Sequence, residues 1–174
     1  MPLTVRPGGA ADLPFMLDML YEAAAVGWTL GGIEAPPADE VIAHPSNQKY
    51  VSGWGRDGDI CVISEDDDGA VGAARVGAAW CRIFTPDKRG DGIMALPGVP
   101  EVAIGVRSGA RGRGAGAAML NALAAAARDA GYARLMLSVD PRNPARRLYA
   151  RCGYREVADP GPDAGTSIIM VLAL

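Results

Sequence analysis

Arg107, Arg111 and Arg113 are interspersed with Gly109, Gly112, Gly114 and Gly116 in a loop that runs straight into an alanine-rich stretch reaching Ala130. Glycines let such a loop take φ > 0 and let a ligand approach the main chain without interference from Cβ. A helix that begins here has N–H groups with no internal partner, and it carries the positive end of its dipole at the same place. Bare N–H groups, a dipole end and guanidinium charges make an anion site whose natural occupant is a pyrophosphate. A P-loop is excluded: Gly109 and Gly114 have its spacing, but Ala115 and Gly116 stand where Lys and Ser/Thr must be. The dinucleotide pattern is met by Gly112, Gly114 and Ala117, with Asp140 ending the next strand as a ribose ligand would. Against it, the preceding strand ends near Val106, too early for the tight turn. Only 34 residues follow Asp140, too few to complete a doubly wound sheet.

The loop needs a strand before it and a helix after it, and both are legible. Glu101–Val106 is a short β-branched strand; Ala115–Ala130 is helix by alanine propensity, stopped by Gly131; Arg134–Asp140 is the next strand. Asn143 caps a short helix with Pro144 in its first turn, and Gly153 ends it. Two strands follow, 154–158 and 166–172. Upstream, Leu3–Arg6 is a strand, and Leu13, Met16, Leu17, Leu20 and Tyr21 set an amphipathic helix over 12–25. The segment from Gly27 to Gly55 carries Trp28, Glu34, Asp39, Glu40, His44, Tyr50 and Trp54, with short helices expected from Pro37 and after Pro45. His44 precedes a proline with no partner pattern around it and reads as a surface or capping residue. Asp59–Ser64 and Ala70–Ile83 form an antiparallel hairpin across the acidic turn Asp66-Asp67-Asp68-Gly69, which lacks the glutamate that closes a calcium loop. The long loop from Phe84 to Val99 is placed to lie over a substrate.

At 174 residues and 49% hydrophobic, the chain reads as one domain, 1–174, with a single core. It shows no signal-type h-region and no apolar run of the roughly 20 residues a membrane span needs, so a cytoplasmic protein without membrane contact is expected. Three scattered cysteines and one histidine provide neither a disulfide framework nor metal-ligand spacing, so no metal is expected. Net charge is −3, which argues against bulk nucleic-acid binding, yet it is divided. Arg107 to Arg155 holds ten arginines against two acids, whereas Met1 to Val106 holds seven cations against fifteen acids. That polarity suits an anionic cofactor on one side.

The order of elements gives an α/β class with a mixed, largely antiparallel sheet and helices on both faces. On two motifs the chain resembles the GNAT superfamily of N-acetyltransferases from end to end. Arg111-x-x-Gly114-x-Gly116 is similar to the family's acyl-CoA loop. Asn143-Pro-Ala145-Arg-Arg-Leu148-Tyr149-Ala-Arg-Cys-Gly153-Tyr154 is similar to its second cofactor segment. Two such motifs in order, separated by a helix and a strand, are more specific than either alone. The resemblance implies that Glu101–Val106 splays from Arg134–Val139 and that the pantetheine arm of acetyl-CoA lies between them as an added strand, pairing with Ile104 and Val106. Gly105 is expected to form a bulge that frees an N–H for the thioester oxygen. Arg111, Gly112, Arg113, Gly114, Ala115 and Gly116 are expected at the pyrophosphate, and Asn143 at the cofactor's flank.

The chemistry so implied is direct transfer of acetyl from acetyl-CoA to a primary amine. Tyr149 is the expected general acid for the departing thiolate, because a phenol with pKa near ~10 holds its proton at neutral pH. Glu101 is the expected base, acting through a water on an amine that is mostly charged at neutral pH. Acid in the first half, including Glu34, Asp39 and Glu40, is expected to steer a cationic small-molecule amine. A non-catalytic acyl-CoA-binding module and a protein N-terminal or lysine acetyltransferase are the competing readings. Dimers are common in the resembled family, so a homodimer is an expectation as well.

Overall fold

A computed structural model describes residues 3–66, 74–84, 96–157 and 167–174. The expected acidic turn beyond Asp66, most of the loop between Phe84 and Val99, and the segment before the last strand therefore lie outside the described residues. Seven strands form one sheet: β1 (Leu3–Pro7), β2 (Ile60–Asp66), β3 (Ala74–Arg82), β4 (Glu101–Val106), β5 (Arg134–Val139), β6 (Arg155–Glu156) and β7 (Ile168–Ala173). Their order across the sheet is β1-β2-β3-β4-β5-β7-β6. Every pair is antiparallel except β4 and β5.

Helices cover both faces. On one face lie α1 (Leu13–Ala24), α2 (Val26–Leu30), α3 (Ala38–Ala43) and α4 (Pro45–Gln48), of which α2 is an element the sequence reading does not contain. Helix α1 turns Phe15, Met16, Met19 and Leu20 inward at helical spacing and packs them on Ile63, Ala78, Trp80 and Ala103. On the opposite face, α5 (Ala115–Asp129) buries Ala115, Met119, Leu120, Leu123, Ala124 and Ala127, the i, i+4, i+5, i+8 stripe that holds it on the sheet. Helix α6 (Ala145–Arg151) joins the same core through Leu148 and Tyr149.

The one parallel pair is the fold's opening. Strands β4 and β5 share a single register pair, Glu101 with Met136, next to a bond from Met136 N–H to Pro100 O at 3.0 Å. Beyond it they part, as the resemblance implies. The cause is not a bulge at Gly105, however: β4 runs one-to-one against β3 through Ala78 and Gly105, and the register shift in this region falls at Ser64/Glu65 of β2. Gly105 is glycine for a different reason. A Cβ there would run into the Met19 main chain of α1, 2.7 Å from its carbonyl carbon, so helix and strand cross backbone to backbone. We expect Gly105→Ala to lower stability by roughly 3 kcal/mol, the upper range of overpacking costs, because helical backbone cannot yield as a side chain does. A denaturant midpoint equal to that of the unsubstituted chain would refute this contact.

Candidate active site

The cleft between β4 and β5 has a polar wall of main chain. Arg107 N–H donates to Val76 O at 2.9 Å, so by strand alternation Arg107, Gly105 and Ala103 point their N–H groups at β3. Ile104 and Val106 then point theirs into the opening beside β5, where no strand pairs with them among the described residues. The alternation corrects the expectation for Gly105, whose N–H belongs to the β3 ladder; the groups turned to the cleft are those of Ile104 and Val106.

Strand β4 leads through a 3-10 turn (Ser108–Ala110) to the glycine loop and α5. Gly112 (φ 76°) and Gly114 (φ 94°) both occupy the left-handed region, where a side chain is strained whatever the space around it. Gly114 is the N-cap of α5 and supplies no side-chain cap. The first intrahelical bond, Ala118 N–H to Gly114 O at 3.0 Å, leaves the N–H groups of Ala115, Gly116 and Ala117 without helical partners. Ala115 is itself buried, and a Cβ on Gly116 would meet Leu148 Cδ2 at 2.8 Å, so Gly116 lets α5 sit against α6. This fits a pyrophosphate well: a fifteen-residue helix offers an uncapped, positively polarised end at the open side of the cleft.

The arginines are less free than their sequence suggests. Arg111 donates to Glu22 Oε2 at 2.7 Å and to Val106 O at 3.1 Å, tying the loop to α1 and to the end of β4. Arg113 pairs with Asp66 at 2.6 Å, and Arg107 lies 3.9 Å from Asp18. The main-chain groups of the loop, more than these guanidiniums, are what an anion would meet. Asn143 stands one residue before Pro144, the N-cap of α6, and its Oδ1 accepts from Ala145 N–H at 2.9 Å. Asp140, the ribose candidate of the dinucleotide pattern, is engaged by Arg142 at 2.7 and 3.0 Å, and its carboxyl is drawn down to about 2 by that contact. With a largely antiparallel sheet as well, the dinucleotide reading is overturned.

At the closed end of the cleft stands Glu101, 1% exposed. It is no solvent-facing strand end. The Tyr50 hydroxyl donates to its Oε1, and Lys49 Nζ lies 3.6 Å from Oε2, which has no hydrogen-bond partner among the described residues. Burial, then the Glu101 charge, pushes the Tyr50 hydroxyl up; the Tyr149 phenol lies near enough to add to the same shift. Tyr149 is buried on α6, with its ring 6.2 Å from that of Tyr154, and burial pushes it up to about 12. Glu101 is bonded to Tyr50, and Tyr149 lies near that same tyrosine.

Lys49 is absent from the sequence-based expectations, and Tyr50 appears there without a role. They follow α4 and are delivered from about fifty residues upstream by a built turn. Arg82, opposite Glu101 on β3, donates to the carbonyls of Lys49 (3.0 Å) and Ser52 (2.9 Å) and pairs with Asp59 at 2.7 Å. Trp80 Nε1–H donates to Tyr50 O at 3.1 Å. The available signal was slight: Lys49 is one of two lysines among seventeen basic residues.

Outside this cleft, a depression of about 470 Å³ lies between α2 and the β5–α6 loop, lined by Gly27, Trp28, Gly31, Ile33, Asp140 and Arg142. Ile33 is 63% exposed. Among the described residues no cluster of His, Cys, Asp and Glu could hold a metal, and no helix is long and apolar enough to cross a membrane.

Comparison with known proteins agrees with this geometry. The model of the acetyltransferase (GNAT) family matches residues 18–154. No curated protein matches the chain. Among solved structures, the chain is similar to the PaiA N-acetyltransferase of Thermoplasma acidophilum in complex with coenzyme A, at 14% identity and TM-score 0.68 over the whole of both chains. It is similar to ribosomal-protein-alanine N-acetyltransferase from Brucella melitensis at 22% identity and TM-score 0.65, covering 98% of this chain and 99% of that one. The likeness to AAC(6')-Ib, in complex with ribostamycin and coenzyme A, has 22% identity and TM-score 0.60, with 99% and 94% covered.

Proposed function

The chain belongs to the acetyltransferase (GNAT) family, and from that premise we propose that it moves an acetyl group from acetyl-CoA directly to a primary amine of a cationic small molecule. The observation that carries this is the continuity of the cleft. The cleft-facing N–H groups of Ile104 and Val106, which no strand pairs with among the described residues, lead on one side to the uncapped end of α5, and on the other to a buried carboxylate and a buried phenol.

In this reading the N–H groups from Gly112 to Gly116 hold the pyrophosphate, and the β4 edge holds the pantetheine arm as a strand would. Glu101, reached through a water from the dry end of the cleft, takes the proton that the amine sheds before it attacks the thioester carbon. Tyr149 serves the leaving sulfur. A phenol pushed up to about 12 keeps its proton at neutral pH but is a weaker acid than free tyrosine. Its main contribution is therefore a hydrogen bond that strengthens as the C–S bond breaks and negative charge gathers on sulfur. Tyr149→Phe should lower kcat roughly 100-fold with little change in the KM for acetyl-CoA, since the ring stays and only the donor leaves. Undiminished kcat would reduce Tyr149 to a packing residue of α6.

Glu34, Asp39 and Glu40 are exposed and make no ion pair among the described residues, so their field is available to an incoming cation. The test is thiol release from acetyl-CoA across a panel of amines. Polyamines and basic amino compounds should outperform neutral arylamines, with kcat/KM falling as salt screens the attraction. A salt-independent preference for arylamines would contradict the steering. Turnover confined to peptides would favour a protein acceptor, and cofactor binding without turnover on any amine would favour a binding module.

A further inference from the structure

We infer that Lys49 is a positioning residue for proton transfer, the counter-ion that lets Glu101 remain a carboxylate at the dry end of the cleft. The inference rests on the reading of Glu101 as the base. A carboxyl group taken out of water favours its neutral form unless a charge or hydrogen bonds compensate. At Glu101 the compensation is sparse. Among the described residues, Oε1 accepts from the Tyr50 hydroxyl, and Oε2 has only the Lys49 ammonium, 3.6 Å away.

Lys49 is equally dependent on Glu101. Its side chain is 4% exposed, and its ammonium lies 4.7 Å from the centroid of Tyr50 and 4.8 Å from that of Phe84. Two aromatic faces and one carboxylate are its surroundings, and among the described residues it makes no hydrogen bond. Burial pulls its pKa down, and the opposing pull comes from Glu101.

Among the described residues, the remaining charged or titratable neighbours do not substitute for it. Arg82, across the ladder from Glu101, directs its guanidinium to Asp59 and to the carbonyls of Lys49, Ser52 and Gly53. Tyr149 faces Tyr50 from α6 and carries no charge at neutral pH. Arg82 and Trp80 instead fix the turn from Lys49 to Gly53, so the backbone from which the Lys49 side chain reaches Glu101 is held by hydrogen bonds.

Lys49→Met keeps the length and apolar stem of the side chain and removes its charge. In the full enzyme, the acid limb of kcat/KM against pH should move up by more than about one pH unit, with activity recovering above the new limb. Lys49→Arg should return the limb toward its original place. Carbon-13 NMR with glutamate labelled at Cδ follows the same carboxyl without turnover, its resonance being identified by its loss in Glu101→Gln. Movement of both limb and resonance supports the inference. If the resonance moves and the limb does not, Glu101 is not the base and the link to proton transfer is overturned, although Lys49 still holds the carboxylate. If neither moves and activity falls equally at all pH, Lys49 is structural and the inference is overturned. Should Lys49→Met fail to fold, Lys49→Met with Glu101→Gln, which removes both charges, is expected to fold; its failure to do so also overturns the inference.

Discussion

Gly114→Val should abolish acetyl-CoA binding and leave the fold standing. Gly114 sits at φ 94° as the N-cap of α5, and a Cβ placed on it meets nothing within 4 Å. The damage is therefore not a clash within the protein. A β-branched residue held in the left-handed region costs on the order of 1–3 kcal/mol, and the loop relieves that strain by turning its N–H groups away from the anion they would hold. The added methyls also occupy the space through which the pyrophosphate approaches the main chain. Loss of two or three charge-assisted hydrogen bonds at roughly 1.5 kcal/mol or more each predicts a Kd at least about 100-fold weaker by calorimetry. Gly109→Val is the control. That position is open, its φ is not positive, and it precedes the helix end. Binding there should be close to that of the unsubstituted chain, and unchanged affinity in Gly114→Val would sink the pyrophosphate assignment.

Glu101→Gln should lower kcat/KM by roughly 10²- to 10⁴-fold at neutral pH, the range in which general bases act. Glutamine keeps the shape and can still accept from Tyr50, but it leaves the Lys49 ammonium without its counter-charge. Removing one member of a buried pair costs about 3–5 kcal/mol when the other stays charged. Lys49 is already disposed by burial to give up its proton, which reduces that cost. Stability and activity must therefore be measured together. A folded Glu101→Gln protein as active as the original across pH would show that the carboxylate is structural.

The parts of this site that lie within one stretch of chain were legible; the parts assembled from distant stretches were not. From Glu101 to Asp129 the strand, the glycine loop and the helix appear where β-branched residues, glycines and alanines place them. Gly112 and Gly114 hold the positive φ values that a phosphate loop needs. Gly105 shows the limit of local reading. In a strand pattern a glycine points to a bulge or to a close approach, and only the crossing of α1, some eighty residues upstream, decides for the second. The arginines show it again: as residue types they advertise anion binding, but Asp18, Glu22 and Asp66 reach them from α1 and β2. Lys49 and Tyr50 were illegible for the same reason, since nothing in their own neighbourhood announces that Arg82 and Trp80 carry them to Glu101. Helix α2 is short, with no buried side chain, so it leaves no hydrophobic period to read.

Acetyl-CoA should occupy the parting of β4 and β5 in a crystal structure of the protein soaked or grown with it. The pyrophosphate should lie on the N–H groups between Gly112 and Gly116, the pantetheine amides should pair with the main chain of Ile104 and Val106, and the thioester sulfur should come within hydrogen-bond reach of the Tyr149 hydroxyl. A cofactor bound elsewhere, or one in this cleft with its thioester turned away from Tyr149 and Glu101, would contradict this placement.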